Sequence, residues 1–271
     1  MIADILLEKY SRMKNHDLSD AFTIRQVRDL LITELTNDFW MVVASDSAGG
    51  IGPKKNDTVY APHYDLGRLV IRVPVMEILS SGAVPILVVD TLSVEMEPSG
   101  KEIIRGVRDE VSEAGMNSNL VVTGSTEDNV ITTQTGMGAV IIGIIDRKDF
   151  RPGKSLKRDI VVCVGIPKSA PEFEIKYSDP EIADPKTIRQ LNRLAFVHDI
   201  LPVGSKGIAH EFNELAASSC LKRHFYDDIK VNIDKSGGPS TCCLVSFAPE
   251  YLEVFKEKIN KPISVIGEMR E

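Results

Sequence analysis

Three apolar runs, each stopping at a carboxylate or a glycine turn, constrain this chain more than any other feature of it. Residues 39–45 (FWMVVAS) stop at Asp46 and open into Ser47-Ala48-Gly49-Gly50-Ile51-Gly52-Pro53-Lys54-Lys55. Residues 85–89 (PILVV) stop at Asp90, and residues 120–123 (LVVT) stop at Gly124-Ser125-Thr126-Glu127-Asp128. Short apolar runs bounded by turn residues read as buried strands. Between them lie two stretches with helical spacing. One, 65–79, carries Val70, Val73, Met76 and Ile78, with Pro74 expected to kink or break it and Gly82 to end it. The other, 100–114, carries Ile103, Ile104, Val107 and Val111 on one face and ends at Gly115. Strands alternating with helices give an α/β or α+β layered fold.

The flanking segments extend this pattern. Residues 5–13 have amphipathic helical spacing, and Ile24, Val27, Leu30, Leu31 and Leu35 predict a second helix capped by Asp20 or Thr23. Residues 57–61 read as a short strand. The charged stretch 146–158 (DRKDFRPGKSLKR) breaks the apolar pattern and contains Pro152-Gly153. A basic run can touch phosphate, but a solvated connection is the simpler reading. It divides the chain into an N-terminal domain, 1–150, and a shorter C-terminal α/β domain, 151–271. The second part reads as strand 160–165, a proline-bearing loop 167–185, helix 187–196, a loop 197–207 and helix 208–218. Strands 229–233 and 242–247, helix 249–259 and strand 263–266 complete it.

Composition narrows the partners. A net charge of −7 over 271 residues argues against a nucleic-acid binder, which needs a basic face. Cys163, Cys220, Cys242 and Cys243 form no C-x-x-C pair and no zinc spacing, which fits a reducing compartment. No basic, apolar leader opens the sequence, and no apolar run reaches the ~20 residues of a membrane span. The expectation is a soluble cytoplasmic protein with a small-molecule substrate and no membrane partner.

The strand ends hold the candidate chemistry. Gly49, Gly50 and Gly52 allow backbone amides to approach oxyanions, and Lys54 and Lys55 can add positive charge. A flexible hairpin explains the same composition, and the loop fits neither the G-x-x-x-x-G-K-[ST] nor the G-x-G-x-x-G template. Asp46, Glu77, Asp90, Glu127 and Asp128 sit near the ends of apolar segments. Taken singly, each reads as a cap or turn residue. Together they suit Mg²⁺, which binds through one or two carboxylates plus substrate phosphates. In the second part, Asp199 can serve as a base or metal ligand, and Lys206 beside a helix start can meet a phosphate. His198 reads as a partly buried hydrogen-bonding residue. The small-residue turn 236–241 is a tight turn or a ligand-facing loop.

Four ordered segments resemble the AIR-synthetase-like superfamily of ATP-using enzymes. Residues 44–52 (ASDSAGGIG) resemble its TDGVGTK-type loop, and residues 76–85 (MEILSSGAVP) its NDLxxxGAxP segment, with Glu77 at the acidic position. Asp90 matches an aspartate after the following strand. Residues 123–128 (TGSTED) stand where the family has GG(D/E)T, with the acid displaced to Glu127 or Asp128. Residues 198–207 (HDILPVGSKG) resemble the DxxxGG loop of its second domain, whereas an SGxHSNG segment is missing. The resemblance implies two α/β domains and a homodimer whose N-terminal sheets pair across the interface. It also implies ATP and Mg²⁺ as cofactors. Asp46, Gly49, Gly50, Gly52, Lys54, Gly124, Ser125 and Thr126 would hold the nucleotide, and the strand-end acids the metal.

Members of the superfamily differ in the phosphoryl acceptor. No cysteine precedes Cys163, as a selenophosphate synthetase would need, and the chain ends GEMRE, without the terminal cysteine of the hydrogenase-maturation branch. A GDDAA motif, the mark of thiamine-phosphate kinases, is absent. The run TGSTEDN…TQTGMG at 123–129 and 133–138 resembles the α-ribazole kinases. That implies transfer of the γ-phosphoryl group to a nucleoside 5′-hydroxyl, with Lys54 or Lys206 positioning phosphates and Asp199 orienting or deprotonating the acceptor. Another ATP-dependent synthetase or kinase, of the AIR or thiamine-phosphate type, and a non-catalytic nucleotide-binding regulator are the alternatives.

Overall fold

A computed structural model describes residues 2–14 and 22–271, the first of these forming helix α1 (Ile2–Lys14). It contains two sheets. The first has six strands: β1 (Thr23–Val27), β2 (Leu30–Glu34), β3 (Phe39–Gly49), β4 (Val84–Leu92), β5 (Val122–Ser125) and β6 (Gly136–Asp146), in the spatial order β1-β2-β3-β6-β4-β5. β6 is antiparallel to both β3 and β4, and β4 is parallel to β5. β3, β4 and β5 therefore run in one direction, and the loops that follow them leave from the same end of the sheet. The expected α/β layering is present.

One face of this sheet is covered by α2 (His63–Ser80) and α3 (Lys101–Glu113). Along β3, Trp40, Val42 and Ala44 are buried toward the helices, while the residues between them face outward. The helices cross at two glycines: a Cβ on Gly67 would stand 2.2 Å from the Ile103 carbonyl oxygen, and one on Gly106 would stand 2.1 Å from that of Tyr64. Backbones this close admit no side chain. Buried Glu110 on α3 then receives Arg68 at 2.8 Å and Arg72 at 2.7 Å from α2. Pro74 does not break α2, which is continuous from His63 to Ser80 and closes on Gly82 at φ +87°.

The second sheet is antiparallel throughout, in the order β8-β10-β7-β11-β9, with β7 (Ile160–Gly165), β8 (Val197–Pro202), β9 (Lys222–Phe225), β10 (Cys242–Phe247) and β11 (Ile263–Arg270). Both of its faces are buried. Ile160, Val162 and Val164 of β7 join the core shared with the first sheet, whereas Val161 and Cys163 join a second core with Phe212 and Leu215 of α6 (Gly207–Ser218). A strand covered on both faces reads as an unbroken apolar run, as β7 does.

Several expectations are corrected. Residues 23–34 form the β1–β2 hairpin, not a helix, turning through Arg28 at φ +54°. The segment is rich in β-branched side chains, and Leu30 and Ile32 are buried while Leu31 is exposed, which is the period of a strand. Asp20, one of the expected caps, lies outside the described residues. Residues 197–202 form strand β8 where a loop was expected. Residues 222–225 supply strand β9, whereas the expected strand 229–233 does not form. Residues 57–61 contribute only a bridge between Ile51 and Val59. The start of the expected strand 120–123 is a helical turn, α4 (Ser118–Val121), and α5 covers Pro185–Asn192, starting at its Asp184 cap and ending short of Phe196. Among the described residues no helix is long and apolar enough to cross a membrane.

Candidate active site

Asp46 and Asp90 meet in one row of the first sheet. Asp46 on β3 pairs with Ala139 of β6, Asp90 on β4 pairs with Ala139 from the other side, and Gly124 on β5 pairs with Asp90. Residues opposite one another across a sheet share a face, so both carboxylates stand on one face with only the methyl of Ala139 between them. Strand spacing sets their Cα atoms ~10 Å apart. Asp90 packs directly over Gly124, where a Cβ would come within 2.0 Å of Oδ1. Burial pushes the Asp90 carboxyl up to about 6, against the pull of Arg108. Asp46 is raised for the same reason, with the Ser47 amide drawing it back.

The loops after β3, β4 and β5 close over this row by bonding to one another. Lys54 Nζ reaches Glu95 Oε2 at 2.6 Å and the Thr132 carbonyl at 3.2 Å. Lys54 and Ser99, which also donates to Glu95, hold the Glu95 carboxyl down at about 2 despite its partial burial. The Met96 amide donates to Asp128 Oδ1 at 2.9 Å, and the Glu127 amide to the Val94 carbonyl. Asp57 accepts from the Thr135 amide and hydroxyl, and His63 at the start of α2 contacts the same hydroxyl at 3.4 Å. Burial, then the neighbouring Lys54, lowers the His63 pKa.

This network changes the expected roles. The Gly50 amide donates to the Thr135 carbonyl and the Gly52 amide to the Val59 carbonyl, so neither is free to cradle an oxyanion. Gly52 serves close packing instead: at φ +156°, a Cβ there would lie 2.3 Å from Thr135 Oγ1. Gly49 has open space around it, and Lys54 keeps one of its three donors. Ser125 and Thr126 follow Gly124 at the rim. Glu127 accepts the amides of Asn129 and Val130, and Asp128 the amide of Met96 and the hydroxyl of Thr126, so both acids tie down the turn.

Glu77 does not join them. It stands one turn from the end of α2 and faces the second sheet, beside a small cavity that it lines with Asp29, Ser80 and Gly204. Its Oε2 is buried without a hydrogen-bond partner. Burial, then Asp29, Asp46 and Glu211, lifts its pKa well above the ordinary carboxylate range. Glu211 of α6, 6 % exposed and next to Gly204, is pushed up to about 7 by burial and then by Asp29. Among the described residues no group of three or more His, Cys, Asp or Glu is close enough to hold a metal ion, so the five expected acids do not form one ligand set. A hard cation that takes one or two carboxylates and completes its shell with phosphate oxygens needs no such set. The Asp46–Asp90 row fits that chemistry.

Asp199 is corrected from a base to a structural residue. It is fully buried and accepts Arg28 at 2.6 and 3.1 Å, the Gly153 amide at 2.9 Å and the Ile200 amide at 2.8 Å. With its lone pairs filled, it has no site for a substrate proton. Lys206 is exposed at the start of α6, close enough to Glu211 to pull that carboxyl down. His198 bonds Asp159 through Nδ1 at 2.7 Å, the hydrogen-bonding role expected of it. The turn 236–241 is a tight turn closed by the Thr241 amide on the Gly237 carbonyl, and its Ser240 lines the cavity below Glu77.

The raised acids make a stability prediction. A carboxyl whose folded pKa exceeds its unfolded one holds its proton in the folded state after the unfolded chain has released it. The cost of ionising it therefore grows from about pH 4 and is complete above its folded value. Glu211→Gln removes that cost. It should stabilise the protein by about 1–3 kcal/mol at pH 8 and by much less at pH 5, read from thermal melts at the two pH values. An equal effect at both would contradict the burial described here.

Comparison with known proteins agrees with this architecture. Residues 28–145 match the family model described as AIR synthase related protein, N-terminal domain. The fold is the AIR-synthase-like one. A thiamine-monophosphate kinase from Stenotrophomonas maltophilia K279a superposes with a TM-score of 0.62 at 15% identity, covering 98% of this chain and 93% of its own. The hydrogenase maturation protein HypE of E. coli gives 0.63 at 15%, covering 85% and 79%. AaThiL complexed with AMPPCP and TMP gives 0.60 at 14%, covering 98% and 90%. No curated protein sequence matches the chain.

Proposed function

We propose that this chain is an ATP- and Mg²⁺-dependent kinase that transfers the γ-phosphoryl group to the 5′-hydroxyl of a nucleoside, α-ribazole being the acceptor to test first. The observation that carries the reading is the convergence of three loops from parallel strands on the Asp46–Asp90 row. Ligands of α/β sheets bind outside the carboxyl ends of the strands. A structural neighbour complexed with AMPPCP, an ATP analogue, supports nucleotide binding by a protein of this fold. Residues 1–150 then hold the nucleotide and residues 151–271 supply the acceptor side.

Each residue has a task. Asp46 and Asp90 hold Mg²⁺, which when bound supplies neutralisation of phosphate charge. Gly49, Gly124, Ser125 and Thr126 border the nucleotide, and the remaining donor of Lys54, with Lys206 from α6, positions phosphate oxygens. Glu211 takes the hydroxyl proton in place of Asp199, as the acceptor oxygen bonds to phosphorus and the bond to the departing nucleotide oxygen breaks. A base with a pKa near the working pH is the effective one, and positioning with electrostatics carries most of the rate in such transfers.

The acceptor reading rests on the run at 123–129 and 133–138, which spans β5 and the loop into β6. The fold likeness to thiamine-monophosphate kinase favours a second reading, transfer to a thiamine-phosphate-type acceptor. Incubation with ATP, Mg²⁺ and separate α-ribazole, AIR-precursor and thiamine-phosphate acceptors decides between them. Nucleotide binding with no turnover of any would favour a non-catalytic regulator and overturn the kinase reading.

A homodimer belongs to the same proposal. Among the described residues no helix covers the outer face of the first sheet, which carries a row of Leu31, Val43, Ile142 and Leu87, with Val84 nearby at 63 % exposure. An apolar face this continuous calls for a second copy. Leu31→Asp with Leu87→Asp should convert the dimer to monomer in sedimentation equilibrium. A wild-type protein that sediments as a monomer would contradict the proposal.

A further inference from the structure

The basic stretch after β6 does more than connect the two sheets. Arg147 and Lys154 line a cavity of about 590 Å³ together with Arg25, Arg28, Trp40 and Glu214. Trp40 is 4 % exposed, and its indole Nε1, a donor only, is buried without an acceptor. Two cations approach its ring: the Arg25 guanidinium stands 4.3 Å from the ring centre and that of Arg147 5.6 Å.

The charges in this cavity are not cancelled. Arg28 is neutralised by Asp199, and Arg25 meets Glu34 at 3.4 Å with its side chain 42 % exposed, a weak pairing. Among the described residues Arg147 and Lys154 make no ion pair with a carboxylate. Glu214 is the one acidic residue in the lining. In a chain of net charge −7, this leaves a concentration of positive charge beside an unused indole N–H. Both ask for oxygen acceptors, and guanidinium forks match phosphate oxygens in geometry as well as in charge.

We propose that this cavity binds the dianion of a phosphate monoester. Trp40 lies six residues before Asp46 on β3, which sets the indole end of the cavity ~20 Å from Asp46 at the rise of a strand, whereas the Arg28 end, at the turn of the β1–β2 hairpin, lies nearer. The ligand is therefore a second one, distinct from the nucleotide at the far end of the sheet. The inference does not depend on the kinase reading.

Trp40 is the only tryptophan in the chain, so its emission reports on this cavity directly. Wild-type protein is titrated with inorganic phosphate and, separately, with ribose 5-phosphate, against sodium chloride at matched ionic strength. A saturable change in emission with the ester, absent with chloride, is expected. Arg147→Gln with Lys154→Gln should weaken it at least tenfold without moving the melting temperature, since neither side chain is buried. Tighter binding of the ester than of inorganic phosphate identifies the organic ligand. A response that never saturates, one that chloride reproduces, or an unchanged affinity in the double variant overturns the proposal.

Discussion

Asp46→Asn is expected to lower phosphoryl transfer by at least roughly 10²–10³-fold, the usual cost of removing one preorganised electrostatic group from such a site. The side chain is isosteric and Asp46 makes no ion pair in the described structure, so the fold should survive. Burial already disfavours its charge, and the neutral amide should leave the melting temperature equal or slightly higher. Initial rates at saturating ATP, a Mg²⁺ titration and a thermal melt on the same preparation separate the two effects. Unchanged kinetics would remove the Asp46–Asp90 row from the mechanism. A lost fold would mean that Asp46 is structural.

Arg28→Ala carries the largest expected cost in stability. The Arg28 side chain is 5 % exposed, stands at the turn of the β1–β2 hairpin and crosses to Asp199 on β8, joining the two sheets through a two-point ion pair. Its guanidinium also donates to Ser218 at 2.6 Å. Removing it leaves Asp199 buried, charged and short of two donors. Breaking one partner of such a pair costs about 3–5 kcal/mol, or roughly 10 °C in a chain of this size. Replacing both members by apolar residues, Arg28→Met with Asp199→Leu, should recover much of the loss, because no charge is then left without a partner. Differential scanning calorimetry of the three proteins tests this. A single variant that melts within a degree or two of wild type would show that the ion pair does not hold the sheets together.

The legible part of the fold was the part governed by local periodicity. Residues 39–45, 85–89 and 160–165 announced strands because burial on one or both faces leaves a period or a run in the sequence. The hairpin at 23–34 did not. Its apolar residues fit a helical stripe as well as a strand, and only tertiary pairing with β3 selects between them. Segment 197–202 was hidden likewise by the polar pair His198-Asp199, whose partners Asp159 and Arg28 lie 39 and 171 residues away.

The site divides along the same line. Asp46 and Asp90 were visible as strand ends, but their shared row through Ala139 depends on the register of three strands. Glu95 and Thr135 lock the loops through partners on other loops, Lys54 and Asp57, which lie 41 and 78 residues away. Asp29 was concealed inside an expected helix. Glu211 carries no mark in the sequence of its burial, which comes from the packing of α6 in the fold.

The central claim is that phosphoryl transfer occurs at the carboxyl ends of β3, β4 and β5. A crystal structure with Mg²⁺ and a non-hydrolysable ATP analogue tests it most directly. The account predicts the γ-phosphate beside Asp46 and Asp90, within reach of Lys54 and beneath the loop 126–135. A triphosphate seated instead in the basic cavity around Trp40, with the Asp46–Asp90 row unengaged, would contradict it.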